Sequence, residues 1–279
     1  MKSAITAYLW IIIAIFFHLF TPIASGSSQC IVIYADTHAN EEVHRRIVDA
    51  IVAIRPIAVF HAGDMVEDGS NLLQWEIFNR AVSRICKISK FYPAPGNRDA
   101  TSSLFFDNFV LPNNERWYSM EIDGIHLVVL DTNSELSKES PQYAWLQDDL
   151  RDASGKAGFI IAIFHHPPFN IGPPDEDEKN LKSNVVPLFE RYGVDMVFCG
   201  HVHAYERNFY NNIYYIVTGG GGAPLHEKVR SRAYNQKYIK ACHFCKLSLK
   251  GDQLVMQVLD DGLSPIDQLK IKQRRKILD

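Results

Sequence analysis

Five short polar clusters, each following an apolar run, limit the fold of this chain more than any other feature. They are Asp36-Thr37-His38, Gly63-Asp64, Gly96-Asn97-Arg98-Asp99, His165-His166 and Gly200-His201-Val202-His203. The apolar runs are short and rich in strand-forming residues, and helical patterns separate them, which predicts a parallel β-sheet. Binding sites in such sheets form outside the carboxyl ends of the strands. The five clusters are therefore expected to converge on one point.

The clusters supply seven side chains that can donate an electron pair to a metal ion. They are Asp36, His38, Asp64, Asn97, His165, His201 and His203. In the Asp-x-His and His-x-His pairs, two side chains point to the same side of an extended segment. One zinc ion with an open position uses only about three protein ligands. The set therefore predicts two metal ions that share a carboxylate, and its mixture of imidazole, carboxylate and amide favours Fe, Mn or Zn over Ca or Mg.

The charge of such a centre predicts the class of its substrate. Two divalent ions, less Asp36, Asp64 and one hydroxide, leave a charge of about +1, which suits an anionic phosphoryl group. Another five histidines have no partner at a useful spacing, and packing is the preferred interpretation of each. They are His44, His61, His126, His226 and His243.

The order of the motifs resembles the calcineurin-like metallophosphoesterase superfamily. The matching motifs are Asp-x-His, Gly-Asp, Gly-Asn-x-Asp, His-His-Pro-Pro and Gly-His-x-His, and they run from about residue 30 to residue 218. The stretch 204–224 is similar to the purple acid phosphatase-like branch. This resemblance implies one metal ion held by Asp36, His38, Asp64 and His203. It implies a second ion held by Asp64, Asn97, His165 and His201, so that Asp64 bridges the two.

Three positions depart from what the resemblance implies. Glu67 stands where the purple branch has a tyrosine ligand, so no purple colour is expected, and His38 stands where that branch commonly has glycine. Arg98 replaces a histidine that contacts phosphate in the family and is thought to protonate the leaving oxygen. An arginine does not release its proton near neutral pH. It can still hold phosphate oxygens through its planar fork of donors.

Two functional hypotheses follow. The first is a phosphoesterase that hydrolyses small phosphate mono- or diesters through a hydroxide shared by the metal ions, with Asn97, Arg98 and His166 as catalytic residues. The second is a metal-binding pseudo-phosphatase with a binding or regulatory role, and Arg98 is the departure that suggests it. The sequence leaves the natural substrate and the oligomeric state open. A net charge of -3 gives no indication of a nucleic-acid-binding surface.

The amino terminus has the pattern of a secretory signal peptide. Lys2 precedes the apolar stretch 8–20, and the small residues Ala24, Ser25 and Gly26 follow. The stretch is shorter than the roughly 20 residues of a membrane span. The expected organisation is a signal peptide at 1–26 and a calcineurin-like phosphoesterase domain at 27–279, in a secreted or periplasmic protein with no membrane span after cleavage. An uncleaved membrane anchor is the alternative.

The remaining patterns define the expected fold class. Helical periodicity covers residues 41–55, 71–85, 141–152 and 184–192. Tight turns at Asp123-Gly124, Asn211-Asn212 and Gly251 predict hairpins, and 238–249 has the pattern of a single strand. The expected fold is α/β, a four-layer α/β/β/α sandwich with two mixed β-sheets, and the family resemblance implies the same layers.

Several loop residues are expected to support the centre or its rim. Asp99 is expected either to orient a neighbouring group of the centre or to cap the loop or helix at 101–103, and Asp131 is expected to brace a loop. Glu67 and Asp68 are expected to cap or hydrogen-bond near the site. Residues 167–179, rich in proline and acidic side chains, are interpreted as a surface loop or as a rim of the site. The glycines at 219–222 are expected to let the backbone pass close to the site.

Overall fold

The side chains of the first strand alternate between two apolar clusters, which explains why both faces of its sheet are covered. The protein is described by a computed structural model that covers residues 29–273. In strand β1 (Cys30–Tyr34), Ile31 and Ile33 enter one apolar cluster and Val32 enters another. Successive side chains of a strand face opposite sides of the sheet. Each face of this sheet therefore needs an apolar layer to cover it.

Short apolar runs form most of the strands. Within residues 29–273 the strands after β1 are β2 (Ala58–His61), β3 (Lys90–Pro93), β4 (Tyr118–Ile122), β5 (Ile125–Val129), β6 (Phe159–Ile163), β7 (Met196–Cys199), β8 (Tyr205–Tyr210), β9 (Ile213–Thr218), β10 (Asn235–Ile239), β11 (His243–Lys250), β12 (Gln253–Asp260) and β13 (Pro265–Lys272). The apolar runs that precede the five polar clusters correspond to β1, β2, β3, β6 and β7.

The strands form two mixed sheets. The six-stranded sheet has the order β13-β12-β11-β1-β2-β3, and the seven-stranded sheet has the order β10-β8-β9-β7-β6-β5-β4. The strands β1, β2 and β3 are parallel to one another, as are β5, β6, β7 and β9. The hairpins predicted at 123–124, 211–212 and 250–252 are the antiparallel pairs β4–β5, β8–β9 and β11–β12.

Helices cover the outer face of each sheet. They are α1 (Glu41–Ile54), α2 (Leu72–Cys86), α3 (Leu104–Asn108), α4 (Pro141–Ala153), α5 (Leu181–Asn184) and α6 (Val186–Tyr192), with a 3₁₀ turn at Asp99–Thr101. The side chains of Asn40, Asn71 and Ser140 accept hydrogen bonds from the first turns of α1, α2 and α4. Such caps satisfy backbone donors that have no partner within the helix.

The apolar clusters confirm the α/β/β/α sandwich. One cluster lies between the sheets and includes Ile33, Phe60, Leu127 and Ile161. A second packs α1 against β1 and β2, and a third packs α4, α5 and α6 against β5, β6 and β7. The four layers are therefore helix, six-stranded sheet, seven-stranded sheet and helix, as the sequence predicted.

One stretch differs from the prediction. Residues 238–249 were expected to form one strand, but the chain leaves β10 at Ile239 and enters β11 at His243, in the other sheet. The helix expected at 184–192 is confirmed as α6, which begins at Val186 and follows the short helix α5. Pro187 in the first turn of α6 has no amide donor, which is tolerated only at such a helix start.

The proposed signal peptide at 1–26 lies outside the described residues. Within residues 29–273, every helix is too short or too polar to cross a lipid bilayer. The five cysteines are free thiols, and Cys199 is buried at the end of β7.

His126 joins a strand to the covering helix away from the polar clusters. Its Nδ1 lies 2.6 Å from Glu121 Oε1 on β4, and its Nε2 lies 2.8 Å from Asp149 Oδ2 on α4. Burial opposes a charge on this ring, but the hydrogen bonds and charges of Asp149 and Glu121 outweigh burial and raise the pKa of His126. The protonated ring therefore ties α4 to the edge of the seven-stranded sheet.

The contribution of His126 to stability is expected to depend on pH. Because the folded-state pKa is raised, the contribution is complete below the unfolded pKa of about 6.5 and is lost as the pH rises through the folded value. Urea denaturation should show that His126→Asn lowers the free energy of unfolding more at about pH 5.5 than at about pH 9. Asp149→Asn, which removes one partner, should reduce this pH dependence. An equal loss at both pH values would contradict the proposed ion pairs.

Candidate metal centre

The two sheets bring all five polar clusters to one edge of the molecule. Asp36 and His38 follow β1, Asp64 follows β2 and Asn97 follows β3, all from the six-stranded sheet. His165 follows β6, and His201 and His203 follow β7, from the other sheet. Since the carboxyl ends of parallel strands meet at one edge, the loops converge as the sequence predicted.

The candidate ligand atoms lie close enough to share cations. Three groups of ligand atoms lie within 4.8 Å of one another: Asp36, His38 and His203; Asp36, Asp64 and His165; and His165, His166 and His201. Asn97 joins them, because its Oδ1 is 2.9 Å from Nε2 of His165. The structure thus gathers all seven predicted donors, with His166 beside them.

Unusual backbone conformations aim three of these side chains. Asp36, Asp64 and His201 have φ values of 59°, 59° and 71°, in the left-handed region. Non-glycine residues in this region cost of order 1–3 kcal/mol each and cluster at functional sites. The backbone amides of Asp36 and Thr37 donate to the carbonyls of Gly63 and Asp64, which ties the loops after β1 and β2 together.

Glycines allow the loops to approach each other. A Cβ on Gly96 would lie 2.2 Å from Oδ1 of Asp64, and a Cβ on Gly219 would lie 2.8 Å from Oδ2 of Asp36. These distances are shorter than any side chain could adopt without moving the carboxylates. The close approach expected for 219–222 is therefore confirmed.

Backbone carbonyls orient two of the histidines. Nδ1 of His165 lies 2.9 Å from the carbonyl of Ala62, and Nδ1 of His203 lies 2.9 Å from the carbonyl of Pro224. A carbonyl can only accept, so each Nδ1 carries a proton and Nε2 is the nitrogen that faces the centre. These Nε2 atoms face Asp64 Oδ2 at 3.4 Å and Asp36 Oδ1 at 3.6 Å.

Carboxylates hold the other two histidines. Nε2 of His201 lies 2.9 Å from Glu178 Oε2, which leaves Nδ1 of His201 facing Nε2 of His165 at 3.2 Å. Nδ1 of His38 lies 2.6 Å from Glu67 Oε2. Each of the four rings thus has one nitrogen next to an outer acceptor, and this leaves the other nitrogen for the centre.

The donor set fits a bound cation. Nε2 of His165 is surrounded by three further acceptors: Oδ2 of Asp64, Oδ1 of Asn97 and Nδ1 of His201. Within the described residues, Nε2 of His38 is buried without a hydrogen-bond partner. Acceptors that face one another repel unless a positive charge lies among them. In the metal-free protein a proton on His165, whose pKa is raised to about 9, supplies that charge, and a bound metal ion would take its place.

The pKa values of the histidine rings reflect the burial and the charges of the centre. Burial disfavours a charge on His165, but the carboxylates of Asp64 and Asp36 outweigh it and raise its pKa to about 9. Burial and the neighbouring histidines lower the pKa of His201 and His203 to about 3. His201 and His203 are therefore neutral at pH 7, which is the form that binds metals, and at His165 a metal ion would replace a proton.

Asp99 braces the loops that carry Asp64 and Asn97. Its buried carboxylate accepts hydrogen bonds from the backbone amides of Asp64, Met65, Val66 and Gly96, at 2.7–3.2 Å. Burial and the charge of Asp64 raise the pKa of Asp99 to about 7. Of the two roles considered for Asp99, these bonds favour orienting the neighbouring loops of the centre. The bracing role expected of Asp131 agrees with the hydrogen bonds that it accepts from the side chains of Arg116 and Ser134.

Arg98 and His166 border the centre. Nε of Arg98 lies 3.3 Å from Oδ2 of Asp64, and its Nη1 donates to Oε1 of Glu67. Nδ1 of His166 lies 2.7 Å from the hydroxyl of Thr132, and its ring lies 4.6 Å from that of His201. Burial, with the nearby histidines, depresses the pKa of His166 far below its usual value. His166 therefore offers a neutral ring.

The sequence did not indicate two further neighbours of the centre. Glu178, which bonds to His201, belongs to the loop at 167–179, and the acidity of this loop was the only signal. His226 stacks on His203 with ring centroids 4.1 Å apart, so the expected packing role is correct but its partner is a candidate ligand. The other histidines interpreted as packing residues are buried: His44, His61, His126 and His243.

A cavity of about 350 Å³ lies next to the centre, between the starts of α1 and α2. Its lining combines polar groups of the centre with apolar side chains, and includes Thr37, His38, Met65, Glu67, Ile77 and Phe78. The cavity has the size of a small-molecule site and offers an apolar wall close to the candidate metal ligands.

Known proteins are similar to this chain in sequence and in fold. The family model described as calcineurin-like phosphoesterase matches residues 31–205. Purple acid phosphatase 18 of Arabidopsis thaliana is 29% identical over 150 residues, which cover 48% of this chain and 34% of that protein. The chain spans about a third of the length of the curated relatives it matches.

Two solved structures have a similar fold. The purple acid phosphatase of yellow lupin (Lupinus luteus) superposes with a TM-score of 0.80 at 20% identity, over 88% of this chain and 53% of that one. GAP50, described as the anchor in the inner membrane complex of Plasmodium, superposes with a TM-score of 0.73 at 17% identity, over 89% and 90%. At these identities the likeness concerns the fold alone.

Removal of the Asp99 carboxylate should destabilise the protein. Asp99→Ala leaves four buried amides without their acceptor, and each such group costs about 1–3 kcal/mol. We expect the free energy of unfolding, measured by urea denaturation of metal-free protein, to fall by at least about 3 kcal/mol. Asp107→Ala, on the exposed face of α3, should change it by less than about 0.5 kcal/mol. Similar losses for the two variants would contradict the bracing role.

Proposed function

Because this chain belongs to the calcineurin-like phosphoesterase family, we propose that it is a metal-dependent phosphoesterase that hydrolyses small phosphate mono- or diesters. One observation supports this proposal above all: seven potential ligands from five separate loops lie at one edge of the fold. Their chemistry suits Fe, Mn or Zn. When bound, a pair of such ions would activate water and neutralise charge on the phosphoryl group.

We propose the ligand sets that the family resemblance implies, and the observed groups support them in part, since Asp36, His38 and His203 lie together, as do Asp64 and His165. Asp36, His38, Asp64 and His203 would hold one ion, and Asp64, Asn97, His165 and His201 the other. The position of Asp64 supports a bridging role, since its carboxylate lies within 4.8 Å of ligand atoms of both Asp36, from the first set, and His165, from the second. Asp64 is almost completely buried, so it has little water to replace a metal partner.

We propose that three residues act on the substrate in addition to binding metal. Asn97 would bind both a metal ion and, through its amide, the phosphoryl group. Arg98 would hold two phosphoryl oxygens through its guanidinium, which stabilises negative charge in the transition state. His166 would donate its neutral N–H to an oxygen of the ester. A neutral imidazole is a weak acid, so esters with good leaving groups should react fastest.

The cavity beside His38 supports a preference for esters with an apolar group. Ile77, Phe78 and Met65 line its wall, at the edge of the proposed centre. An aryl group in this cavity would bury apolar surface while its phosphate contacts the metal ions. Aryl phosphates combine this fit with a good leaving group.

The cellular context is part of the proposal. We infer a signal peptide at 1–26, a phosphoesterase domain at 27–279 and a secreted or periplasmic protein. The basic, apolar and small-residue segments at the amino terminus support this inference. An uncleaved membrane anchor is the alternative, and the oligomeric state is left open.

A second candidate function is a metal-binding protein without fast catalysis. The observation that favours it is the position of Arg98, whose guanidinium contacts the carboxylates of Glu67 and Asp64. The solved neighbour GAP50, an anchor by its printed description, covers nearly the whole fold. Measured turnover decides between the two functions.

Loss of a proposed ligand should abolish most of the activity. Protein supplied with Mn²⁺ should hydrolyse an aryl phosphate ester, and Asn97→Ala or His201→Ala should lower kcat at least about 10²-fold, because small displacements of reacting groups already cost that much. Asn79→Ala, on the exposed face of α2, is the matched control and should retain full activity. Equal rates in parent and ligand variants would exclude this centre as the site of hydrolysis.

The chemistry at position 98 can be tested by leaving-group dependence. Arg98→His introduces a group that can release a proton near neutral pH. We expect the rate on alkyl monoesters to rise relative to the rate on aryl monoesters, because only poor leaving groups need protonation. The measurement is kcat/KM for a series of esters with different leaving-group pKa. An unchanged slope would show that position 98 is not where the leaving oxygen lies.

A further inference from the structure

Glu67 contacts the proposed centre without belonging to either ligand set. It lies on the loop after β2, and its carboxylate is 48% exposed. Oε2 lies 2.6 Å from Nδ1 of His38, and Oε1 accepts from Nη1 of Arg98. The backbone amide of Glu67 donates to Oε1 of Gln74 on α2, which fixes the loop beneath it. One side chain thus connects a candidate ligand to the arginine that borders the centre.

The contact determines which nitrogen of His38 can bind a metal ion. At 2.6 Å, two atoms that both lacked a proton would repel, and an ionised carboxylate has no proton to give. The proton therefore lies on Nδ1. Both ring nitrogens are buried and neither has a hydrogen bond of good geometry within the described residues, so Glu67 meets Nδ1 as a close ionic contact and Nε2 is the nitrogen left for a metal ion. The ring lies edge-on to His203, with centroids 5.2 Å apart, which places both imidazoles on the same side of Asp36.

Arg98 restrains Glu67 in turn. A half-exposed glutamate has several rotamers, and holding it in one of them costs side-chain entropy. Arg98 is anchored on the other side, because its Nε lies 3.3 Å from the buried Oδ2 of Asp64. The sequence of contacts Asp64–Arg98–Glu67–His38 therefore leads from one candidate ligand back to another.

We propose that Glu67 is a positioning residue that holds His38 with Nε2 toward the metal ion shared with Asp36 and His203, and that Arg98 keeps Glu67 in place. This inference rests on the proposed function. A carboxylate behind a ligating histidine fixes its tautomer and makes it a stronger ligand, and its loss typically costs 10–100-fold in metal affinity. Glu67 should therefore control the affinity of one ion and leave the other unchanged.

The structure provides a reference for the second ion. His165 and His203 are oriented by backbone carbonyls, which a substitution does not remove. His201 is oriented by Glu178, whose Oε2 lies 2.9 Å from Nε2. Removal of the Glu178 carboxylate should therefore lower the affinity for the ion shared with His165. Removal of the Glu67 carboxylate should lower the affinity for the ion shared with His203.

The proposal can be tested by titration of metal-free, full-length protein with Co²⁺, followed by calorimetry and visible absorption. The parent should bind two ions. In Glu67→Ala, one binding step should weaken by about 10–100-fold, with a changed absorption spectrum for that ion. The affinity of Glu67→Gln for this ion should fall between those of the parent and of Glu67→Ala, since the amide oxygen can still accept from Nδ1 of His38 but carries no charge. Glu178→Ala should weaken the other step, and the double variant should weaken both.

Asp68→Ala is the matched control. Asp68 is the adjacent carboxylate, equal in charge, and its side chain bonds to Ser70 instead of the centre. This variant should bind both ions like the parent, and the thermal unfolding of metal-free Glu67→Ala should match that of Asp68→Ala. Equal weakening in Asp68→Ala, or parent-like binding in Glu67→Ala, would overturn the role of Glu67 alone. A parent protein that binds no Co²⁺ would overturn the proposed centre and this assignment with it.

Discussion

Two buried carboxylates on neighbouring strands impose the constraint that the rest of the site satisfies. Asp36 and Asp64 lie at the start of the loops that follow β1 and β2, and both are at most 2% exposed. Moving a carboxylate out of water costs several kcal/mol even after the protein relaxes. Burial raises the pKa of Asp36, while the nearby His165 holds that of Asp64 low despite burial. The two neighbours thus differ in how their charge is compensated.

Backbone donors and imidazoles supply most of that compensation. The amide of His201 donates to both oxygens of Asp36, and the amide of Arg98 donates to Asp64. These donors are available because the loops adopt left-handed or tight conformations beside glycines. The strain in these loops and the burial of charge therefore belong to one arrangement, in which a cation is the component that balances the remaining acceptors.

The sequence was sufficient to predict the framework and the convergence of the candidate ligands on one edge of the fold. Apolar runs identified the strands because a strand buried on both faces has no polar positions to interrupt the run. Polar residues directly after these runs identified the donors, because parallel strands deliver their carboxyl ends to a common edge. The starts of α1, α2 and α4 also depend on local sequence, because the side chains of Asn40, Asn71 and Ser140 accept hydrogen bonds from the first turns that follow them.

The sequence did not predict which side chains pair with the candidate ligands and orient them. Glu67 meets Arg98 across 31 positions and Glu178 meets His201 across 23, and these pairings depend on how the loops pack. The division of 238–249 between two sheets was missed for a similar reason. A strand pattern records which residues are buried, but it does not record the sheet that buries them.

The three positions at which the chain departs from the family pattern belong to one set of contacts. His38, Glu67 and Arg98 lie on the loops after β1, β2 and β3, which are consecutive neighbours in one sheet. Adjacent strands lie about 4.8 Å apart, so side chains on consecutive loops can touch directly. A histidine introduced on the first loop adds a ring nitrogen that needs an acceptor, and a glutamate on the second loop provides it. The glutamate's other oxygen needs a donor, and the arginine on the third loop provides one. A change at any of these positions therefore alters the other two, which is why the identity of residue 98 has to be understood together with residues 38 and 67.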